Sequence, residues 1–220
     1  MDIKNLKRKI FYYKKSPFKY LYFFINKILS HLHYNKSFSQ GSMDLILSHI
    51  FKTKKNGFYV DVGCQHPIKN NNTFLLYKKN WSGINIDLDD VNIDLFNYFR
   101  KNDVNVNAAI SDKVEEVDLY YYHQKSPINT LQKDVSLRQN AKVEKKIKIQ
   151  TNTLSNILDK LIVKKIDLLT IDVEGYELKV LKGLNFEKYH PSVIIVEYLD
   201  LHSKKWEIPF NNIDNVLNSE

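Results

Sequence analysis

Three aspartates and one glycine are spaced for binding a nucleoside. Asp61 closes the apolar run Phe58-Tyr59-Val60, Gly63 follows it, and Asp87 closes a second run, Gly83-Ile84-Asn85-Ile86. Short β-rich runs of this kind read as buried parallel strands, and ligands in such sheets sit where the carboxyl ends of the strands meet the loops. Gly63 permits a sharp turn and close approach of a ligand to the backbone, and Asp87 stands where an acid bonds ribose hydroxyls. The loop Gly63-Cys64-Gln65-His66-Pro67 lacks the further glycines that bring backbone against a pyrophosphate. A dinucleotide therefore fits poorly. S-adenosylmethionine has the ribose without the phosphates and is the leading cofactor. A third run, Ile166 to Asp172, again ends in acid and turns at Gly175 into a segment whose Leu178, Val180, Leu181 and Leu184 suit a helix stopped near Gly183. Asp172 and Glu174 then share the rim with Asp61 and Asp87.

These pieces together resemble the FkbM methyltransferases, a family of the Rossmann-like class. The resemblance runs from about Ser39 to about Tyr198 and rests on an ordered set of segments. They are Ser39-Gln40-Gly41-Ser42-Met43-Asp44, Val60-Asp61-Val62-Gly63, Asn72-Thr73 before Gly83 to Asp87, Asn107 to Asp112, Thr153-Leu154, Ile171 to Glu177, and Val193 to Glu197. It implies a class I methyltransferase fold: α/β, with a central, mostly parallel sheet flanked by helices. It also implies S-adenosylmethionine as cofactor, held by Asp61, Gly63 and Asp87 with Cys64 beside it. Ala108, Ala109, Ser111 and Asp112 would lie near the adenine, Asp172 and Glu174 would face the methionine end or the acceptor, and Gln40 would have a cofactor-side role. The implied reaction is O-methylation of a hydroxyl on a sugar, nucleotide-sugar or glycan. A non-catalytic scaffold or partner subunit that keeps the same fold is the competing reading.

Methyl transfer asks the protein mainly for alignment and for a group that accepts the hydroxyl proton. His66, Asp172 and Glu174 are the candidate bases. His66 closely follows the first strand and has a suitable ordinary pKa, though a loop histidine bonded to backbone reads equally from the residues. Glu174 is either a site acid or the cap of the helix after Gly175. Asp172, Glu174 and Glu177 offer hard oxygen ligands, but their spacing is no metal signature and Glu177 is expected to face solvent, so no metal is expected. Cys64 reads as a small buried residue rather than a nucleophile.

The elements that must position these residues alternate between strand and helix. Strands are expected at Phe58 to Val62, Ile84 to Leu88, Val104 to Ala109, Ile166 to Asp172 and Val193 to Glu197. Helices are expected at Thr73 to Lys79, Val91 to Lys101, Leu154 to Leu161 and Tyr176 to Leu181, with a helical region up to about Ile50 in which Gln40 to Asp44 cap Leu45 to Phe51. This alternation argues for a parallel sheet. Val117 to Tyr122 and Lys146 to Gln150 read as extra strands around a polar stretch, Gln124 to Lys145, expected to be a mobile lid or substrate loop. After Glu197 the sequence reads as a loop and one helix, Asn211 to Leu217, without the final hairpin of such sheets. The exposed edge is then expected to mark a truncated product or to be covered by another segment or a second copy.

The 220 residues, 43% hydrophobic with few Gly and Pro, suit one main domain, 37–220. Residues 1–36 read as a separate basic aromatic arm. Residues 1 to 55 hold twelve Lys and Arg against Asp2 and Asp44, while the rest of the chain is close to neutral. The arm suits either an anionic membrane surface or a helix packed on the sheet with its lysines snorkelling. Nucleic acid is not expected, because the rest of the chain is not basic. No apolar run spans a bilayer and no secretory signal is legible. With Cys64 the only cysteine, a cytoplasmic location is expected, with peripheral contact at the inner membrane face open to the arm.

Overall fold

The chain is described by a computed structural model over residues 37–121, 130–131, 143 and 145–197. The arm, most of the expected lid and the helix expected at Asn211 to Leu217 lie outside the described residues. The first element is α1 (Met43–Ile50), entered through a 3-10 turn, Gln40–Ser42. Asp44 is fully buried and ties down the approach to α1: its carboxylate accepts from the Ser37 and Ser39 hydroxyls at 2.6 and 2.9 Å and from the Phe38 N–H at 2.7 Å. Leu47 on α1 then meets Tyr59, Leu76, Trp81 and Leu168 in a compact cluster.

The central sheet contains β1 (Phe58–Val62), β2 (Ser82–Asp87), β3 (Val104–Asn107), β7 (Leu168–Ile171) and β8 (Val193–Val196). Its spatial order is β3-β2-β1-β7-β8, and every pairing is parallel. Between these strands lie α2 (Phe74–Tyr77), α3 (Asp90–Phe99), α4 (Leu154–Lys160) and α5 (Glu177–Lys182). A parallel sheet needs both faces covered, which explains the continuous apolar runs of β1 and β7. Val60, Val62, Leu169 and Ile171 pack one way against Leu154, Leu158, Val180 and Leu181, whereas Tyr59 and Leu168 pack the other way against Leu47 and Leu76. The result is the Rossmann-like α/β sheet that the alternation of elements implies.

A second sheet joins β4 (Ala109–Ile110), β5 (Glu116–Tyr121) and β6 (Lys145–Asn152) in the order β4-β6-β5. Here the expected strand Val104 to Ala109 needs correction. The run breaks at Ala108, whose N–H bonds the Asp87 carbonyl at 3.1 Å, and Ala109–Ile110 turns away to pair with Thr151 and Asn152. Several helices are also shorter than expected, notably α2. Ile162, 77% exposed, is held at φ +56° after α4, a left-handed conformation that costs a β-branched residue about 1–2 kcal/mol.

Stability should respond in opposite directions at these two kinds of position. Leu169→Ala, which removes a fully buried side chain from the centre of the core, should cost about 2–5 kcal/mol in urea unfolding. Ile162→Gly should raise stability by about 1 kcal/mol by relieving the left-handed strain.

Candidate active site

Topology determines where a ligand can sit. The chain lays β2 and β3 to one side of β1 and then returns to place β7 and β8 on the other. In open parallel sheets the binding crevice forms at that reversal, beyond the carboxyl ends of the strands. The reversal here falls between β1 and β7, where the Asp172 N–H bonds the Val62 carbonyl at 2.9 Å. Gly63 turns the chain at φ +81°, and a Cβ added to it would lie 1.7 Å from the Asp172 carbonyl oxygen. Only glycine fits that position. The Gly63 and Cys64 N–H groups both reach the Ile86 carbonyl, at 2.8 and 3.2 Å, which ties the first loop to β2.

Two carboxylates flank this loop. Asp87 is buried, and its oxygens accept the Gln65 N–H at 2.8 Å and the Asp89 N–H at 2.7 Å. Its carbonyl receives the Ala108 N–H and the Asn107 amide, so Ala108 stands beside it at the rim. Asp61 is also buried. Its Oδ2 accepts from the Thr73 hydroxyl at 3.0 Å and the Asn71 amide at 3.2 Å. Burial raises the Asp61 carboxyl to about 7, against the opposing pull of Thr73, Arg100 and Asn71 and with a smaller upward push from Asp172. His66 is buried in the same loop, with its Nδ1 accepting the Ile68 and Lys69 N–H groups at 3.1 and 3.0 Å. Two donors on Nδ1 hold the neutral ring with its proton on Nε2, so one nitrogen is spent on shaping the loop.

Opposite lies the turn from Asp172 to Glu177. Glu177 does not face solvent, contrary to the sequence expectation. It folds back under the turn, and its Oε1 accepts both the Val173 and Gly175 N–H groups at 3.0 Å. Both N–H groups precede the helix, so Glu177 braces the turn, and neither it nor Glu174 caps the helix by a side-chain bond. Glu174 itself sits at φ +56°, and its carbonyl accepts the Thr130 hydroxyl at 2.8 Å. Carboxylate oxygens of Asp172, Glu174 and Glu197 lie within 4.8 Å of one another, a spacing that suits either shared protons or a divalent cation. Burial raises Glu197 to about 8, reinforced by the like charge of Asp172 beside it. Burial likewise raises Glu174 to about 7, with Asp172 and Glu177 adding like-charge repulsion. A site of this kind favours a cationic ligand and holds acids whose protons come and go near neutral pH.

A family model described as the methyltransferase FkbM domain matches residues 61–219. The chain belongs to the FkbM methyltransferase family. No curated protein and no solved structure matches it. Of the residues that the resemblance to this family carried forward, Asp61, Gly63, Asp87, Ala108, Asp172 and Glu174 come to the rim or its two loops. Cys64 lies beneath, buried with Ile93 and Phe96, and burial pushes its thiol well up. Gln40 is exposed on the 3-10 turn, and Ala109 packs with Leu119, Leu131 and Tyr176. Ser111 is fully buried with its carbonyl against Gly183, at the end of α5 away from the acid turn, and its hydroxyl donates to Asp112 at 2.9 Å. Ala109 thus stays in a cluster that Leu88 and Val173 from the two rim loops pack against, whereas Ser111 and Asp112 lead away from the rim. Sequence reasoning missed Asn71 and Arg100, and it gave Glu197 no role. The spacing of Asn71 and Thr73 was the only local signal for Asn71, and there was none for Arg100.

Gly63→Ala should cost about 3 kcal/mol or more in denaturant unfolding, because the methyl group has no room and the backbone angle is strained. The acid cluster also sets a sign for pH dependence. Acids whose folded pKa is raised bind more protons folded than unfolded, so their contribution to stability is complete below about pH 4 and is lost as pH rises through about 8. Unfolding free energy should therefore decline from pH 5 to 8, and Glu197→Gln should flatten that decline.

Proposed function

We propose that this methyltransferase uses S-adenosylmethionine to methylate a hydroxyl oxygen of a sugar, nucleotide-sugar or glycan. The observation that carries the reading is the convergence of Asp61, Gly63 and Asp87 with the Asp172–Glu177 turn at the one strand-order reversal of the sheet. When bound, S-adenosylmethionine supplies an activated methyl group and leaves as S-adenosylhomocysteine. Asp87, aimed by the Gln65 and Asp89 N–H groups, bonds the ribose hydroxyls. Gly63 lets the ligand approach the backbone. The surplus of acid at the rim offsets the positive charge of the sulfonium, and the weak hold of these acids on their charge before binding is the counterpart of that preference.

Glu174 serves as the proton acceptor. A carboxyl near 7 is half ionised at neutral pH, and so is matched to taking a proton from an attacking hydroxyl and releasing it later. Asp172, the neighbour that helps raise Glu174, orients the acceptor hydroxyl. His66 is the weaker base candidate because its Nδ1 already receives two backbone donors.

Calorimetric titration with S-adenosylmethionine and S-adenosylhomocysteine, beside Asp87→Ala, tests the cofactor. Micromolar binding lost in the variant is expected. Repeating the titration in buffers of different ionisation enthalpy should show proton release on binding, larger for the sulfonium than for the neutral thioether. A folded chain that binds neither ligand would favour a scaffold role. Glu174→Gln should retain S-adenosylhomocysteine binding and lower kcat about a hundredfold or more on an accepted sugar substrate.

A further inference from the structure

Among the described residues Arg100 is the largest fully buried charged side chain, and it lies outside every loop that lines the rim. It caps the end of α3 with no exposed surface. Its Nε donates to the Pro67 carbonyl at 2.8 Å, Nη1 to the Tyr59 hydroxyl at 3.0 Å, and Nη2 to Asn71 Oδ1 at 2.6 Å and Thr73 Oγ1 at 3.4 Å. Asp103 lies 3.6 Å from Nη1, and the rings of Tyr59, Phe74, Tyr77 and Phe96 surround the guanidinium. So many partners fix the fork rigidly.

That rigidity passes to Asp61 through hydrogen-bond polarity. Asn71 Oδ1 accepts from Arg100 and from the Thr73 N–H, so the amide is fixed with Nδ2 toward Asp61. Thr73 Oγ1 accepts from Arg100, and its single proton then goes to Asp61 Oδ2 rather than to the already occupied Asn71 Oδ1. Both donors close on Oδ2. Oδ1 has no protein donor among the described residues. The charged and titratable groups around Asp61 are Arg100 from α3, Tyr59 from its own strand, Cys64 from the loop after it, and Asp172 from the end of β7.

We propose that Arg100 is a positioning residue for cofactor binding: through Asn71 and Thr73 it saturates one oxygen of Asp61 and presents the other to a donor group of the ligand. This rests on the reading of Asp61 as part of the S-adenosylmethionine site. Arg100 touches no ligand in this account and acts only through the two relays.

Three variants separate positioning from simple stabilisation. Thr73→Val keeps the shape and deletes one relay. Asn71→Asp keeps the acceptor for Arg100 and deletes the other. Arg100→Lys keeps the charge and loses the fork. Each should weaken S-adenosylhomocysteine binding about tenfold, the worth of one good hydrogen bond. The loss should fall in KM for S-adenosylmethionine rather than in kcat at saturation, with Thr73→Val still folded at the assay temperature. Should Arg100→Lys fail to fold, the two relay variants decide. Wild-type affinity in folded Thr73→Val and Asn71→Asp would overturn the proposal and leave Arg100 a structural residue. If the wild type itself binds no cofactor, the functional reading fails on its own. The relay is then judged by carboxyl 13C NMR of the unliganded chain. An Asp61 midpoint higher in Thr73→Val and Arg100→Lys than in the wild type supports it, and unchanged midpoints overturn it.

Discussion

The contact between Gly63 and the Asp172 carbonyl is the constraint on which the site depends. The two residues follow β1 and β7, strands far apart in sequence that pair at the reversal of the sheet. The 1.7 Å that a Cβ would leave shows how little space separates them. This closeness sets the first loop against the acid turn, so that one ligand can touch both. Because the flanking strands are buried on both faces, neither loop can retreat without opening the core.

Desolvation supplies the chemistry that this geometry concentrates. Asp61, Glu174 and Glu197 are raised because burial disfavours their charge, and Asp172, whose surface is exposed, is raised beside them. The protein counters this unevenly. Asp61 receives two oriented donors and a nearby guanidinium, whereas Asp172 and Glu197 crowd their carboxylates within 4.8 Å and both are raised. The first arrangement keeps a carboxylate ready for a ligand, and the second keeps acids poised to exchange protons. A cation entering between them improves both, which is why an acid rim costly to the empty fold is coherent with a sulfonium cofactor.

Much of the scaffold was legible because buried parallel strands leave a plain trace: short apolar runs ended by acid, as at Asp61, Asp87 and Asp172. The helix after Gly175 was legible from the spacing of Leu178, Val180 and Leu181. The break at Ala108 was not, since Val104 to Ala109 reads as one strand and only the bonds of Asn107 and Ala108 to the Asp87 carbonyl divide it. Glu177 misled for a related reason. At the start of a six-residue helix its side chain can reach back to the N–H groups of the preceding turn, a choice made by the turn and not by helical periodicity. Arg100 left no trace in the sequence, because its partners come from four separate segments that only the folded sheet gathers. The family match places the whole set in a methyltransferase and leaves the acceptor to the rim and what covers it.

Whether the cofactor sits at the β1–β7 reversal is tested most directly by amide NMR of the labelled chain during titration with S-adenosylhomocysteine. The largest shifts should fall on Gly63, Gln65, Asp89, Ala108 and Val173. Saturable binding whose shifts avoid these amides, clustering instead at the amino ends of the strands or on the second sheet, would contradict it.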